Sequence, residues 1–135
     1  MKQFNLEIIT PEKVAYKAEV AAITLPGTKG EFQVLFNHTP LVSTFEIGVV
    51  KVIIDEKNEI AFATSGGSVE IKDNHVLVLA DTLEKPEQID IDRAKDSAER
   101  ARKRLASEKK EEIDTARAEA SLTRAVNRLK IAKTF

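Results

Sequence analysis

The sequence predicts an α+β chain in which strands come first and helices second: a β-sandwich or flattened barrel, then an antiparallel two-helix hairpin. Three observations predict it. From Phe4 to Leu79 apolar residues alternate with polar ones at a period of two. All 4 prolines and all 5 glycines precede Gln88, and none follows. From Ile91 onward the apolar residues recur at spacings of three and four. The regimes meet at Gln88-Ile89-Asp90-Ile91-Asp92-Arg93-Ala94, which places the domains at 1–86 and 87–135. There Asp90 is suited to cap free backbone N–H groups, and Asp92 adds negative charge to the first turn. Ile91 and Ala94 begin an apolar stripe.

In the first domain, Phe4, Leu6 and Ile8 alternate with Asn5 and Glu7. Further strands are expected at Val20–Leu25, Glu31–Leu35, Val49–Ile54, Glu59–Thr64, Ser68–Ile71 and His75–Leu79. Turn signals separate them: Thr10-Pro11, Pro26-Gly27 with Gly30, Asn37-His38-Thr39-Pro40, Gly48, Asp55–Asn58, Gly66-Gly67 and Lys72-Asp73-Asn74. Val49–Ile54 and Glu59–Thr64 read as a hairpin, and residues 80–88 as the linker. Many short strands without an intervening helical pattern argue for two packed layers of sheet.

In the second domain Ile91, Ala94, Ala98, Ala101 and Leu105 form one stripe of a helix running to about Ser107. A charged turn is expected over 107–112. A second stripe follows, Thr115, Ala118, Leu122, Ala125, Leu129 and Ala132, ending near Lys133. Two stripes joined by a short turn make an antiparallel hairpin. Its interface is mostly alanine, and at ~25 cal/mol per Å² such contacts bury little energy. The hairpin is therefore expected to leave the sandwich or rearrange at a cost of about a few kcal/mol.

With 42% hydrophobic and 32% charged residues in 135, the composition suits a folded domain with a helical appendage and excludes a disordered chain. The lack of cysteine excludes disulfides, thiolate metal sites and thiol nucleophiles. The start lacks an apolar leader and no run is long enough to span a bilayer, so neither signal peptide nor membrane insertion is expected. Charge is divided unevenly. Residues 1–87 carry 8 Lys/Arg against 13 Asp/Glu, and residues 88–135 carry 13 against 9, with every arginine in the second part. Arginine favours bidentate contact with carboxylate and phosphate, which points to an acidic or phosphorylated partner; an ordinary solvated helix surface is the plainer alternative.

Catalytic chemistry finds little support. His38 and His75 have no serine–acid or metal-ligand spacing around them. His75 reads as a strand-edge residue, and His38 belongs to a constrained loop of the kind that carries contacts. Pro26-Gly27-Thr28-Lys29-Gly30 and Gly66-Gly67 lack the ending of a phosphate-binding loop. The arginines are more informative. Arg93, Arg100 and Arg104 are spaced seven and four apart, and Arg117, Arg124 and Arg128 repeat that spacing, so each helix presents a guanidinium row on one face. These rows suit a polyanion or the carboxylates of another protein. Pairing within the hairpin, to Asp90, Asp92, Asp96, Glu112, Asp114 and Glu119, is the alternative. Nucleic acid is disfavoured, because the aromatics lie in the acidic, arginine-free part.

Several strings together resemble the epsilon subunits of bacterial F-type rotary ATP synthases, over essentially the whole length. They are Ile9-Thr10-Pro11, Leu25 through Leu35 followed by Asn37-His38-Thr39-Pro40-Leu41, and Ser65-Gly66-Gly67. Ile89-Asp90-Ile91-Asp92-Arg93-Ala94 matches the family's Ile/Leu-Asp-x-x-Arg-Ala string, and Arg117-Ala118-Glu119 and Arg124 through Leu129 complete the set. The resemblance implies a ten-stranded β-sandwich followed by two helices, in a non-catalytic central-stalk subunit. Its implied partners are the gamma subunit, the rotor c-ring and the alpha and beta subunits of the catalytic head. The implied location is peripheral, on the cytoplasmic face of the bacterial membrane, with proton or sodium coupling left open. The hairpin would inhibit ATP hydrolysis when extended. ATP would be a regulatory ligand and not a required cofactor, held by Ile89, Asp90, Arg93, Ala94, Arg124 and Arg128, with Glu84 and Arg117 as further candidates. Glu31, Phe36 and His38 would face the rotor ring or gamma. Here the loop departs from the family's Gly-Val-Leu-Pro-Gly-His-x-Pro, with Gln33 in place of the first Gly and Phe36-Asn37 in place of Pro-Gly. A free-standing ATP-sensing module is the competing function.

Overall fold

The computed structural model describes residues 2–106 and 112–134. The chain divides into two units, Met1–Glu84 and Lys85–Phe135.

The first unit holds ten strands: β1 (Phe4–Ile9), β2 (Val14–Val20), β3 (Ala22–Gly27), β4 (Gly30–Leu35), β5 (Leu41–Phe45), β6 (Gly48–Ile53), β7 (Glu59–Thr64), β8 (Gly67–Lys72), β9 (His75–Ala80) and β10 (Leu83–Glu84). They pair along one path, β10-β7-β6-β3-β5-β8-β9-β1-β2, with β4 attached to β3. The pairs are antiparallel except β1 with β9, which run parallel from Asn5↔His75 to Ile9↔Leu79. This path folds over on itself. Inward side chains from β1 to β9 share one core, with Leu6, Ile8, Ile23, Leu25, Val50 and Val78 among those closed to solvent. The Tyr16 ring on β2 meets the Phe62 ring on β7 edge-on at 6.0 Å, although those strands lie near opposite ends of the path. Ala21 N–H donates to Ile53 O at 2.8 Å, and Gln3 Nε2 to Ile54 O at 2.9 Å, across the same junction.

The expected strands are present with ends shifted by a residue or two, and three more appear. Val20–Leu25 is the end of β2 and most of β3, separated by the buried Ala21. β5 occupies a stretch to which the sequence assigned no element, and β10 lies within the expected linker. The turn chemistry is direct. Asp73 and Asn74 take φ 49° and 61° between Lys72 and His75, the positive angles of a tight two-residue hairpin. At Gly67, which pairs with both Phe45 and Ala80, an added Cβ would collide with the Leu79 carbonyl and reach 2.9 Å from the Phe45 ring. Beside it, Thr82 Oγ1 donates to Ser65 Oγ at 2.7 Å and accepts Ser65 N–H at 3.2 Å, so Ser65-Gly66-Gly67 is a structural joint.

The second unit begins with a 3-10 turn, Pro86–Gln88, closed in both directions: Gln88 N–H donates to Lys85 O at 3.0 Å, and Lys85 N–H donates to Gln88 Oε1 at 3.0 Å. Helices α1 (Ile91–Ala106) and α2 (Glu112–Thr134) pack together. The alanine stripes are the contact face: Ala94, Ala98 and Ala101 on α1 and Ala118 and Ala125 on α2 are buried. The charged turn expected over 107–112 lies outside the described residues, apart from the backbone start of α2 at Glu112.

Candidate functional site

Helix α1 starts where the sequence placed its cap. Asp90 Oδ1 accepts the Arg93 backbone N–H at 3.0 Å, and Asp90 O accepts Ala94 N–H at 3.0 Å as the first helical bond. The carboxylate thereby satisfies one of the free donors of the first turn and places negative charge at the positive end of the helix dipole. Flanking it, Ile89 and Ala94 are buried, while Asp90 and Arg93 are exposed.

The arginine rows are largely at the surface. Arg93, Arg100 and Arg104 on α1 and Arg117 and Arg124 on α2 are exposed, and Arg128 is half-buried and engaged. Among the described residues, Arg93, Arg100, Arg104, Arg117 and Arg124 make no ion pair with Asp90, Asp92, Asp96 or Glu119; the side chains of Glu112 and Asp114 lie outside the description. One apolar residue belongs to the α2 row as well. Ile131 lies seven residues beyond Arg124 and three beyond Arg128, hence on their face, and it is fully buried. The guanidinium row of α2 therefore ends against covered apolar surface. The alanine stripe gave no hint of this, because Ile131 falls between Leu129 and Ala132 in the reading of the other face. Glu84 ends β10 in the first unit, paired with Ala63, whereas the other ATP-site candidates lie in the second unit.

In the first unit, β4 carries the interface candidates at its two ends. Glu31 is exposed beside the Gly27–Gly30 turn. Phe36 and His38 follow Leu35 at the far end, roughly 17 Å along an extended strand. Phe36 and His38 are held close together: His38 N–H donates to Leu35 O at 3.2 Å, His38 Nδ1 lies 2.7 Å from Thr39 O, and Lys2 Nζ stands 5.2 Å over the Phe36 ring.

A second surface was missed in the sequence. The outward residues of β1, β2, β5, β8 and β9 align in cross-strand rows, one of which runs Val14–Ile9–Leu79–Ser68–Thr44 and the next through Leu77 and Glu70 to Val42. Val14, Leu79 and Val42 are 53%, 47% and 76% exposed. Large apolar side chains gathered on the outer face of a sheet are suited to contact with another protein. Next to them, Asn5, Glu7, Lys17, Glu19, His75 and Leu77 line a depression of about 500 Å³. Among the described residues no set of three metal-ligating side chains converges, and no helix is long and apolar enough to cross a membrane.

Comparison with known proteins assigns both units. The family described as ATP synthase, Delta/Epsilon chain, beta-sandwich domain, matches residues 3–86, and its long alpha-helix domain matches residues 87–133. The chain belongs to the ATP synthase delta/epsilon family. Relatives named ATP synthase epsilon chain include one from Desulfitobacterium hafniense, 48% identical over 102 residues that cover 76% of each chain, and one from Carboxydothermus hydrogenoformans, 42% identical over 77% of each. The fold also matches a chain in the Euglena gracilis mitochondrial ATP synthase structure of OSCP, F1 and c-ring, with a TM-score of 0.80 at 24% identity over 90% of this chain and 76% of that one. A chain of the Tetrahymena thermophila central stalk and c-ring structure matches with a TM-score of 0.67 at 13% identity over 97% of each. Delta/epsilon membership accounts for a β-sandwich followed by helices in one chain.

Proposed function

We propose that this chain is a non-catalytic central-stalk subunit of a rotary ATP synthase, coupling the rotor ring to the catalytic head and restraining ATP hydrolysis through its helices. The observation that carries the proposal is the pair of family matches, which cover the sandwich and the hairpin in that order. The physical division of labour supports it. A closed apolar core makes the first unit a rigid mount, and the exposed Val14 and Leu79 of one cross-strand row, with Val42 of the next, give it a face suited to the gamma subunit. Phe36 and His38 at one end of β4, with Glu31 at the other, are the proposed contacts with the rotor ring or gamma. An α1–α2 interface made mainly of alanine supports a hairpin that separates at low cost. The subunit would sit peripherally on the cytoplasmic face of the membrane.

ATP is the proposed regulatory ligand of the hairpin, with Asp90, Arg93, Arg117, Arg124 and Arg128 as its charged contacts and Ile89 and Ala94 flanking it. The support is exposed guanidinium groups on both helices together with the α1 start at Asp90. Bound to one hairpin state only, ATP would stabilise it by RT ln(1 + [ATP]/Kd) and act as a switch, with no turnover. Truncation after Gln88 in the assembled complex tests the restraint. ATP hydrolysis is expected to rise while assembly persists; unchanged hydrolysis overturns the inhibitory role.

A further inference from the structure

We infer that Asn74, in the turn between β8 and β9, is a positioning residue for the loop that presents Phe36 and His38. The sequence has Phe36-Asn37 at this loop, and the backbone shows what that requires. Leu35 to His38 is a β-turn closed by the His38 N–H to Leu35 O bond, with Asn37 third in the turn at φ 61°. That position demands a positive φ, which glycine adopts freely and asparagine tolerates. Asparagine adds something glycine lacks. Asn74 Oδ1 accepts the Asn37 backbone N–H at 2.6 Å, and Asn74 Nδ2 donates to Asn37 Oδ1 at 2.9 Å. Two amides, each on a left-handed residue of its own turn, thus form a reciprocal pair between segments 37 residues apart.

The pair is anchored at its far side. Asn74 O accepts Asn5 N–H at 3.0 Å, and Asn5 Nδ2 lies 3.4 Å from His75 Nδ1, so the turn is fixed to β1 as well as to β8 and β9. A turn held by three strands therefore grips a loop that is otherwise tied by the His38 N–H to Leu35 O bond, the His38–Thr39 contact and the Lys2–Phe36 contact. The consequence is orientation: with Asn37 held on both its N–H and its side chain, Phe36 and His38 on either side of it leave the loop in fixed directions. The docking consequence rests on the reading of Phe36 and His38 as contacts with the rotor; the clamp itself does not.

Amide exchange in the intact subunit and affinity for the assembled stalk and ring test the two separately. Asn74→Gly keeps the turn's positive φ and removes the amide, Asn37→Gly does the same on the other side, and the double variant closes a cycle. Exchange at the Asn37 amide is expected to quicken by about three- to tenfold in Asn74→Gly, which removes both bonds, and less in Asn37→Gly, which removes only the side-chain one, with little further change in the double variant relative to Asn74→Gly. Asn74→Asp, which keeps an acceptor for the Asn37 N–H, is expected to recover part of the protection at neutral pH. Unchanged exchange in Asn74→Gly, or strictly additive effects in the cycle, overturns the inference. Affinity is expected to fall in Asn74→Gly by a similar factor and in Phe36→Ala and His38→Ala as well. If Phe36→Ala and His38→Ala bind normally, the rotor reading fails while the exchange cycle still decides the clamp. If both weaken binding and Asn74→Gly does not, the clamp carries no docking role.

Discussion

The Asp90 carboxylate accepts the Arg93 backbone N–H at 3.0 Å, so the residue that opens α1 and the first arginine of its row are locked together. The same two residues are proposed ligands of ATP, and structural and ligand roles must be separated by substitution.

Asp90→Ala removes the cap and is expected to cost the helical unit about 1 kcal/mol. Amide exchange at Arg93 and Ala94 should quicken while the sandwich is unaffected. Asp90→Asn retains a capping oxygen and should keep near-normal protection, so a loss of ATP affinity in that variant reports the carboxylate as a ligand and not as a cap.

Arg93→Ala and Arg124→Ala are each expected to weaken ATP binding by about tenfold or more, the effect of deleting one charge-assisted contact. Calorimetric titration of the intact subunit measures it. Both side chains are exposed, so helix content by circular dichroism should barely change. Equal affinity in both variants and the parent removes the proposed site.

Gly67→Ala should destabilise the sandwich by about 3 kcal/mol, because the new methyl meets the Leu79 carbonyl and the Phe45 ring and neither can retreat without opening the β5–β8–β9 pairing. Gly30→Ala meets no atom within 4 Å and carries only the strain of φ 124°, about 1–2 kcal/mol. Urea unfolding should rank Gly67→Ala below Gly30→Ala.

In the β6–β7 turn, the Asn58 side chain and the Lys57 N–H bond the Asp55 carboxylate and hold its pKa below the ordinary 3.8. A depressed carboxylate contributes stability that is present above its unfolded pKa and lost as pH falls through its folded value. The chain should therefore lose this contribution only in acid, below about pH 4. A carboxyl NMR titration should place Asp55 below 3.8, and Asp55→Asn should flatten the acid limb of the stability profile.

Much of the fold was legible because its inward faces alternate cleanly, as in Phe4, Leu6 and Ile8 or Val76 and Val78. β2 was hidden because Ala15, Lys17, Ala18 and Glu19 offer little contrast between faces, and β5 because Leu41-Val42 breaks the alternation. That break is itself the signal of the exposed apolar face: Val42 is outward and Phe45 inward. Sequence periodicity identifies a face but not what lies across from it, so the row joining Val14, Ile9 and Leu79 needed strand order to be seen. At the helices, Asp90 as cap and the alanine stripes were readable from local chemistry. Ile131 was not, because its burial depends on what covers the arginine side of α2. The Asn37–Asn74 pair was equally invisible, since each residue reads only as an ordinary turn former.

The parallel pairing of β1 with β9 sets the order of events during synthesis. Asn5 and His75 are partners across 70 positions, so the first strand made waits for nearly the last one before its ladder can close. Pairing at that sequence separation is slow, because a long loop must be ordered before any contact rewards it. A ribosome-bound chain ending before His75 presents β1 and β8 with unpaired edges, a state prone to capture by chaperones or by other chains. The helical hairpin, built from neighbouring residues, forms last on the ribosome yet quickly, after the sandwich has closed.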